Sequence, residues 1–275
     1  GIYNVIGGFV SMFYMVTSTM TQAVSRFLTF NLGRGDIAKL QKTFSTSVNI
    51  LLLMSIVVVL LAETVGLWFV NNKLNIDDGR MLAANWIYQF SVFSFVLEMI
   101  SVPYGASVIS HEKMGTFAFV TVTKVLLTLG IAFALTVSPI DKLVFYGLLV
   151  FLVELTIQMM YWIYCRRNFT ECRYSLRMEK DIFREMFGFA GWNFIGASSA
   201  LLRDQGGNII LNLFFGPAVN AARGVAMQVN NAITGFVTNF MTALNPQITK
   251  SYASGDREYM MTLIYQGARL SFYML

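Results

Sequence analysis

Charge is scarce in this sequence: 13% of its 275 residues are Asp, Glu, Lys or Arg, against about 25% in soluble domains, while 56% are hydrophobic. A globule of this size in water cannot hide that much apolar surface and still cover itself with polar groups, so a soluble fold is excluded. Histidine is nearly absent, with His111 alone, and the two cysteines, Cys165 and Cys172, have six residues between them. That pairing fits no usual zinc set and leaves two thiols beside a basic loop, so no metal and no cofactor is expected. Acidic pairs and Gly-rich phosphate loops are missing too, and the one histidine falls in a short loop, which argues against an enzyme. The net charge of +5 is read first as loop topology in an apolar chain, not as contact with nucleic acid.

What is there in quantity is long apolar sequence. A spanning helix needs roughly 20 largely apolar residues, and eight segments qualify: 2–29, 42–70, 83–109, 115–138, 142–165, 186–213, 218–249 and 259–275. Runs such as Ile50 to Leu61 are apolar on all sides, unlike the alternating strands of a barrel. The fold class is therefore all-α integral membrane, with about eight transmembrane helices and the bilayer as first partner. Loops after the first, third, fifth and seventh segments hold twelve basic residues: Arg34, Lys39, Lys42, Lys113, Arg166, Arg167, Arg173, Arg177, Lys180, Arg184, Lys250 and Arg257. The opposite loops hold three, Lys73, Arg80 and Lys142, so the first set is expected to be cytoplasmic.

The chain opens at Gly1 with no basic segment before its first apolar run and stops at Leu275 inside another. It is expected to be an internal piece of a longer protein whose own N-terminus lies inside. The longest basic connection suggests a division into residues 1–165, a linker 166–185, and residues 186–275. Besides marking topology, that linker's charge suits contact with anionic lipid headgroups.

A repeat links the two parts. Ser25-Arg26-Phe27-Leu28-Thr29 leads to Gly35-Asp36, and Asn245-Pro246-Gln247-Ile248-Thr249 leads to Gly255-Asp256, offset by 220 in both Thr and Gly-Asp. Gly takes the left-handed conformation that closes one helix, and Asp caps the next. The copies end the first and seventh segments, so the halves are expected to be parallel repeats about an axis normal to the membrane. Chance similarity within low-complexity apolar sequence is the other reading.

With Asn212-Leu213-Phe214-Phe215-Gly216 added, these motifs resemble the polysaccharide transporter branch of the multidrug/oligosaccharidyl-lipid/polysaccharide superfamily. The resemblance implies a MATE-like bundle of two six-helix lobes, of which this chain covers helix two to helix nine. It implies a flippase that moves undecaprenyl-diphosphate-linked oligosaccharide across a bacterial inner membrane for surface polysaccharide, including O-antigen and lipopolysaccharide, beside other polysaccharide-assembly proteins. One departure from the repeat matters most: the first copy has Arg26 where the second has Pro246.

Helix phase points separately to a polar interior. At 100° per residue, Asn4, Ser11, Ser18, Gln22, Ser25 and Thr29 fall within about 60° of arc. Arg223, Asn230, Asn231, Thr234, Thr238, Thr242 and Asn245 fall within about 120° on the seventh segment. Such stripes turn away from lipid, towards a wet cavity or towards helices packed through small polar residues. Arg203-Asp204-Gln205 falls inside the sixth segment; Arg203 either neutralises its neighbour or holds diphosphate oxygens with its planar fork. Arg26 and Arg223 sit near opposite helix ends, either as substrate contacts or snorkelling to headgroups.

Glu98, Lys124 and Glu154 share one depth, roughly 15–18 Å from the basic ends of their helices. Each costs at least about 2.5–3.5 kcal/mol there unless paired or hydrated. Lys124 is expected to pair with one glutamate, as a structural ion pair or leaving the other to carry a coupling proton. The competing function is a multidrug or metabolite exporter of the same superfamily driven by Na⁺ or H⁺. Cationic drugs favour carboxylates, whereas a lipid diphosphate favours the arginines at 26, 203 and 223.

Overall fold

The computed structural model describes residues 2–72, 78–137, 141–175 and 178–274, with side-chain surroundings from residue 16 onward except at 78, 137, 205, 208, 209, 212, 217, 218, 220 and 221. The expectations placed on Asn4, Ser11, Gln205, Lys73 and Arg177 fall outside those described side chains. Among the described residues eight α-helices run α1 Ile2–Gly33, α2 Ile37–Leu61, α3 Leu67–Asn72, α4 Met81–Ser110, α5 Met114–Ala134, α6 Lys142–Asn168, α7 Lys180–Ser254 and α8 Arg257–Met274. No strand occurs among the described residues.

The packing solves the apolar excess by leaving it outside. On α2, Phe44, Val48, Leu51, Ser55 and Val58 repeat at helical spacing and are buried, while Leu53, Ile56 and Leu60 on the other side are about 60% exposed. Both faces are apolar, so what covers the outer one is lipid. Four helical stretches among the described residues are long and apolar enough to cross a membrane: Ile37–Asn72, Met81–Ser110, Met114–Ala134 and Lys142–Asn168. The chain is a multi-pass membrane protein.

Helix α4 is the central post. Its buried residues Ala84, Tyr88, Val92, Phe95, Met99, Val102 and Ala106 step by three and four, so one face is continuous core. Gly147 brings α6 against it, since a Cβ there would lie 2.9 Å from Ile87 Cγ1. A π-helical turn, Ala62–Gly66, joins α2 to α3, and Tyr88 Oη donates to its Ala62 carbonyl at 2.8 Å.

Helix α7 is two arms. Gly216 has φ 79° and ψ −179°. The Arg223 guanidinium lies against Gly207, its Cζ 3.1 Å from where a Cβ would stand. Sixteen residues of straight helix span about 24 Å, so the chain folds back at Gly216. The arms, residues 180–215 and 217–254, are the sixth and seventh predicted segments.

The repeat is a repeat of geometry. Gly35 and Gly255 have φ 71° and 86°. Asp36 Oδ1 accepts from Lys39 N at 2.9 Å, and Asp256 Oδ1 accepts from Tyr259 N at 3.0 Å. Backbone bonds correspond as well: Gly35 N to Leu32 O matches Gly255 N to Tyr252 O, and Leu40 N to Asp36 O matches Met260 N to Asp256 O. The capped turn lets α2 begin at Ile37, five residues before the predicted span, because Lys39, Gln41 and Lys42 are helical yet too polar to count as membrane.

The linker expected as a basic loop is instead laid onto α2. Ser45 Oγ accepts from Ser175 N at 3.2 Å and Thr46 Oγ1 from Glu179 N at 3.3 Å; Tyr174 Oη donates to Asn49 at 2.6 Å. Lys42 pairs with Glu179 at 2.7 Å. Upstream, His111 donates to Glu171 and stacks on Phe169 with ring centroids 4.0 Å apart. Burial alone would raise the Glu171 carboxyl, but the bonds from His111 and the backbone outweigh it and hold it below the usual glutamate value.

Candidate functional site

A cavity of about 390 Å³ lies where α1 meets both arms of α7. Gln22, Ser25, Arg26 and Thr29 line it from α1, Phe189 from the first arm, and Thr242, Asn245, Pro246 and Thr249 from the second. Gln22, Ser25 and Thr29 step by three and four, so this part of the polar stripe lines the cavity, with Arg26 beside it. Arg26 and Pro246, which hold matching places in the two copies of the repeat, line the same chamber. The Arg26 guanidinium stands 4.4 Å from the Phe189 ring centroid, which fixes its plane and leaves its edge for a ligand. Pro246 has no N–H to offer the carbonyl of residue 242, so the helix wall carries an extra acceptor there.

The other expected site residues are placed differently. Thr234 and Thr238 continue the Thr242–Asn245 face along the second arm, with Thr238 donating to the Thr234 carbonyl at 2.9 Å, and they are exposed beyond the cavity, as are Asn230 and Asn231. Arg203 does not reach the chamber: its side chain is 77% exposed and its Nε bonds Asp204 at 3.2 Å, the self-neutralising arrangement. Arg223 packs on Gly207 and joins the two arms.

Glu98, Lys124 and Glu154 line a second cavity of about 240 Å³ among α4, α5 and α6, and Lys124 Nζ lies 2.7 Å from Glu154. Thr21 and Ile109 belong to the walls of both cavities. Charge reversal tests the pair: Lys124→Glu or Glu154→Lys should each reduce membrane protein level, since an unpaired charge at that depth costs about 2.5–3.5 kcal/mol or more. The double reversal should restore it. A double variant as poor as the singles would remove the pair as a source of stability.

Sequence reasoning missed the closure at the basic end. A Cβ on Gly33 would stand 2.7 Å from Lys250 Cα and 2.9 Å from Ala253 Cβ, so α1 and the second arm cross there with backbones touching. Lys250 Nζ pairs with Glu112 at 2.6 Å, and Glu112 itself is left-handed at φ 57°. Thr29 Oγ1 meets Ser110 Oγ at 2.8 Å, shutting the cavity floor. The repeat hinted at this crossing, because Gly33 and Ala253 are both small and 220 residues apart.

No protein-family model matches the chain, and no curated protein matches its sequence. Among solved structures, a multidrug resistance MATE family transporter of the MOP superfamily, in an outward-facing conformation, superposes with a TM-score of 0.81. Identity is 11%, over 98% of this chain and 61% of that one. A second solved chain, described as protein A, gives a TM-score of 0.67 at 15% identity, over 92% of this chain and 58% of its own length. At such identities the likeness is one of fold. The chain has a MATE-like two-lobe membrane bundle and spans about three fifths of the length of these two.

Proposed function

We propose that the full-length protein is an alternating-access transporter of the bacterial inner membrane, and that its cargo is an undecaprenyl-diphosphate-linked oligosaccharide. One observation carries the cargo: among the described residues, Arg26 is the only charged one lining the cavity between α1 and α7, beside hydroxyls and amides. A guanidinium edge suits diphosphate oxygens bidentately, and the surrounding Thr, Ser, Gln and Asn groups suit sugar hydroxyls. A cationic drug would want a carboxylate in that chamber. The acidic residues sit behind Thr21 instead, where Lys124 already offsets Glu154. The basic end is read as cytoplasmic, so the cavity is closed on that side.

Arg26→Ala should lower surface polysaccharide export about ten- to a hundred-fold, the worth of a charged hydrogen bond, at normal protein level. Lipid-linked intermediate should accumulate on the inner leaflet, and Arg26→Lys should recover only part of the flux. Full export by Arg26→Ala would overturn the cargo assignment. The exporter reading has its own support in the fold of a multidrug MATE transporter and in the titratable cluster sharing a wall with the chamber. Its signature would be unchanged polysaccharide together with altered drug efflux in the same variant.

A further inference from the structure

A larger hollow lies elsewhere, and neither transport reading uses it. A cavity of about 740 Å³ opens at the basic end among α2, α4, α6 and the linker, and shares no lining residue with the chamber. We infer that this pocket is a binding site for an anionic glycerophospholipid of the leaflet at that end, with the phosphate on Arg166 and Arg173.

Its lining changes character with depth. Arg166, Arg173 and Tyr174 form the mouth, while Leu52, Val48 and Trp162 line the wall. Trp162 lies one turn deeper than Arg166, and Leu52 one turn deeper than Val48, each about 6 Å further into the membrane. A phosphodiester on two acyl chains has the same order, anion outermost and hydrocarbon below. The volume fits a lipid portion, within the roughly 300–1,000 Å³ of ligand pockets, and far exceeds what a free phosphate fills.

The arginines are available. Among the described residues no carboxylate lines the pocket. Neither Arg166 nor Arg173 is ion-paired among the described residues; Glu171 faces His111, and Glu179 faces Lys42. Arg166 stacks over Trp162, its Cζ 5.1 Å from the ring centroid, and lines the pocket beside it. The linker residues are braced too, with Gln41 donating to the Arg173 carbonyl at 3.3 Å and Tyr174 bonded to Asn49. A lipid seated here would tie α6, α2 and the linker together, and so steady the start of α7.

The test uses the full-length protein in nanodiscs, with Trp162 as reporter and Trp162→Phe subtracting the signal of the other tryptophans. Brominated phosphatidylglycerol should quench Trp162 with a preference on the order of tenfold over brominated phosphatidylcholine, as two basic contacts provide. Arg166→Gln with Arg173→Gln should erase that preference. Equal quenching by both lipids in the unmodified protein overturns the inference, and needs no variant to fold. Inorganic phosphate that displaces the brominated lipid at millimolar concentration would assign the arginines to a free anion and overturn the lipid.

Discussion

Valine in place of Gly33 should hold the two halves of the repeat apart at the basic end and, on the transport role proposed above, cost the full-length protein most of that transport. The expectation follows from backbone contact. A Cβ at this position would stand 2.7 Å from Lys250 Cα, and a Cα cannot rotate away as a side chain can. The helices must separate, and overpacking of this kind costs about 1–3 kcal/mol. That energy bears only on the conformation in which α1 and the second arm touch, so the populations shift by about five- to a hundred-fold or more. The Lys250–Glu112 pair and the Phe30–Tyr252 ring contact at 6.4 Å belong to the same closed end and should loosen with it. Thiol labelling of Ser25→Cys from the basic side measures the opening, with the buried Cys165 and Cys172 as a low background. Gly33→Val should raise its rate by that factor, and Gly33→Ala by less. Unchanged labelling with normal transport would mean that this crossing does not set the balance between states.

How much of this was legible in the sequence follows from the range of each interaction. The eight segments were legible because hydropathy is local: a helix in lipid advertises its own length. The capped turns at Gly35-Asp36 and Gly255-Asp256 were legible for the same reason, since a positive φ and a carboxylate accepting from three residues on involve only neighbours. Side-chain phase on α1 was legible as a stripe, of which Gln22, Ser25 and Thr29 line one cavity. Phase does not say what stands opposite. Arg203 looked like a diphosphate ligand by residue type, yet its adjacent Asp204 takes the guanidinium, and nothing in a one-dimensional reading ranks a neighbour above a cavity. The linker was harder still. Its arginines read as a topology signal or a headgroup contact, whereas the residues that hold it, Ser45, Thr46 and Asn49, lie about 130 positions upstream, beyond the reach of a local pattern.

Substitution of Gly216 should break the protein more thoroughly than any change in the cavity. At φ 79° and ψ −179° the residue occupies a region open essentially to glycine alone. The hairpin it makes is what brings Phe189 on one arm and Asn245 on the other to the same chamber. Gly216→Ala should cost about 1–3 kcal/mol at the turn, read as a lowered Tm and reduced protein in the membrane. Asparagine supplies the discriminating case. Gly255 sits at φ 86° and ψ 2°, in the left-handed region that Asn tolerates, so Gly255→Asn should be nearly silent. Gly216→Asn should be as damaging as alanine, because its ψ lies far from that region. If both asparagine variants were equally mild, the turn at residue 216 would owe its shape to something other than glycine. The cavity would then have to be rebuilt from a different pairing of the arms.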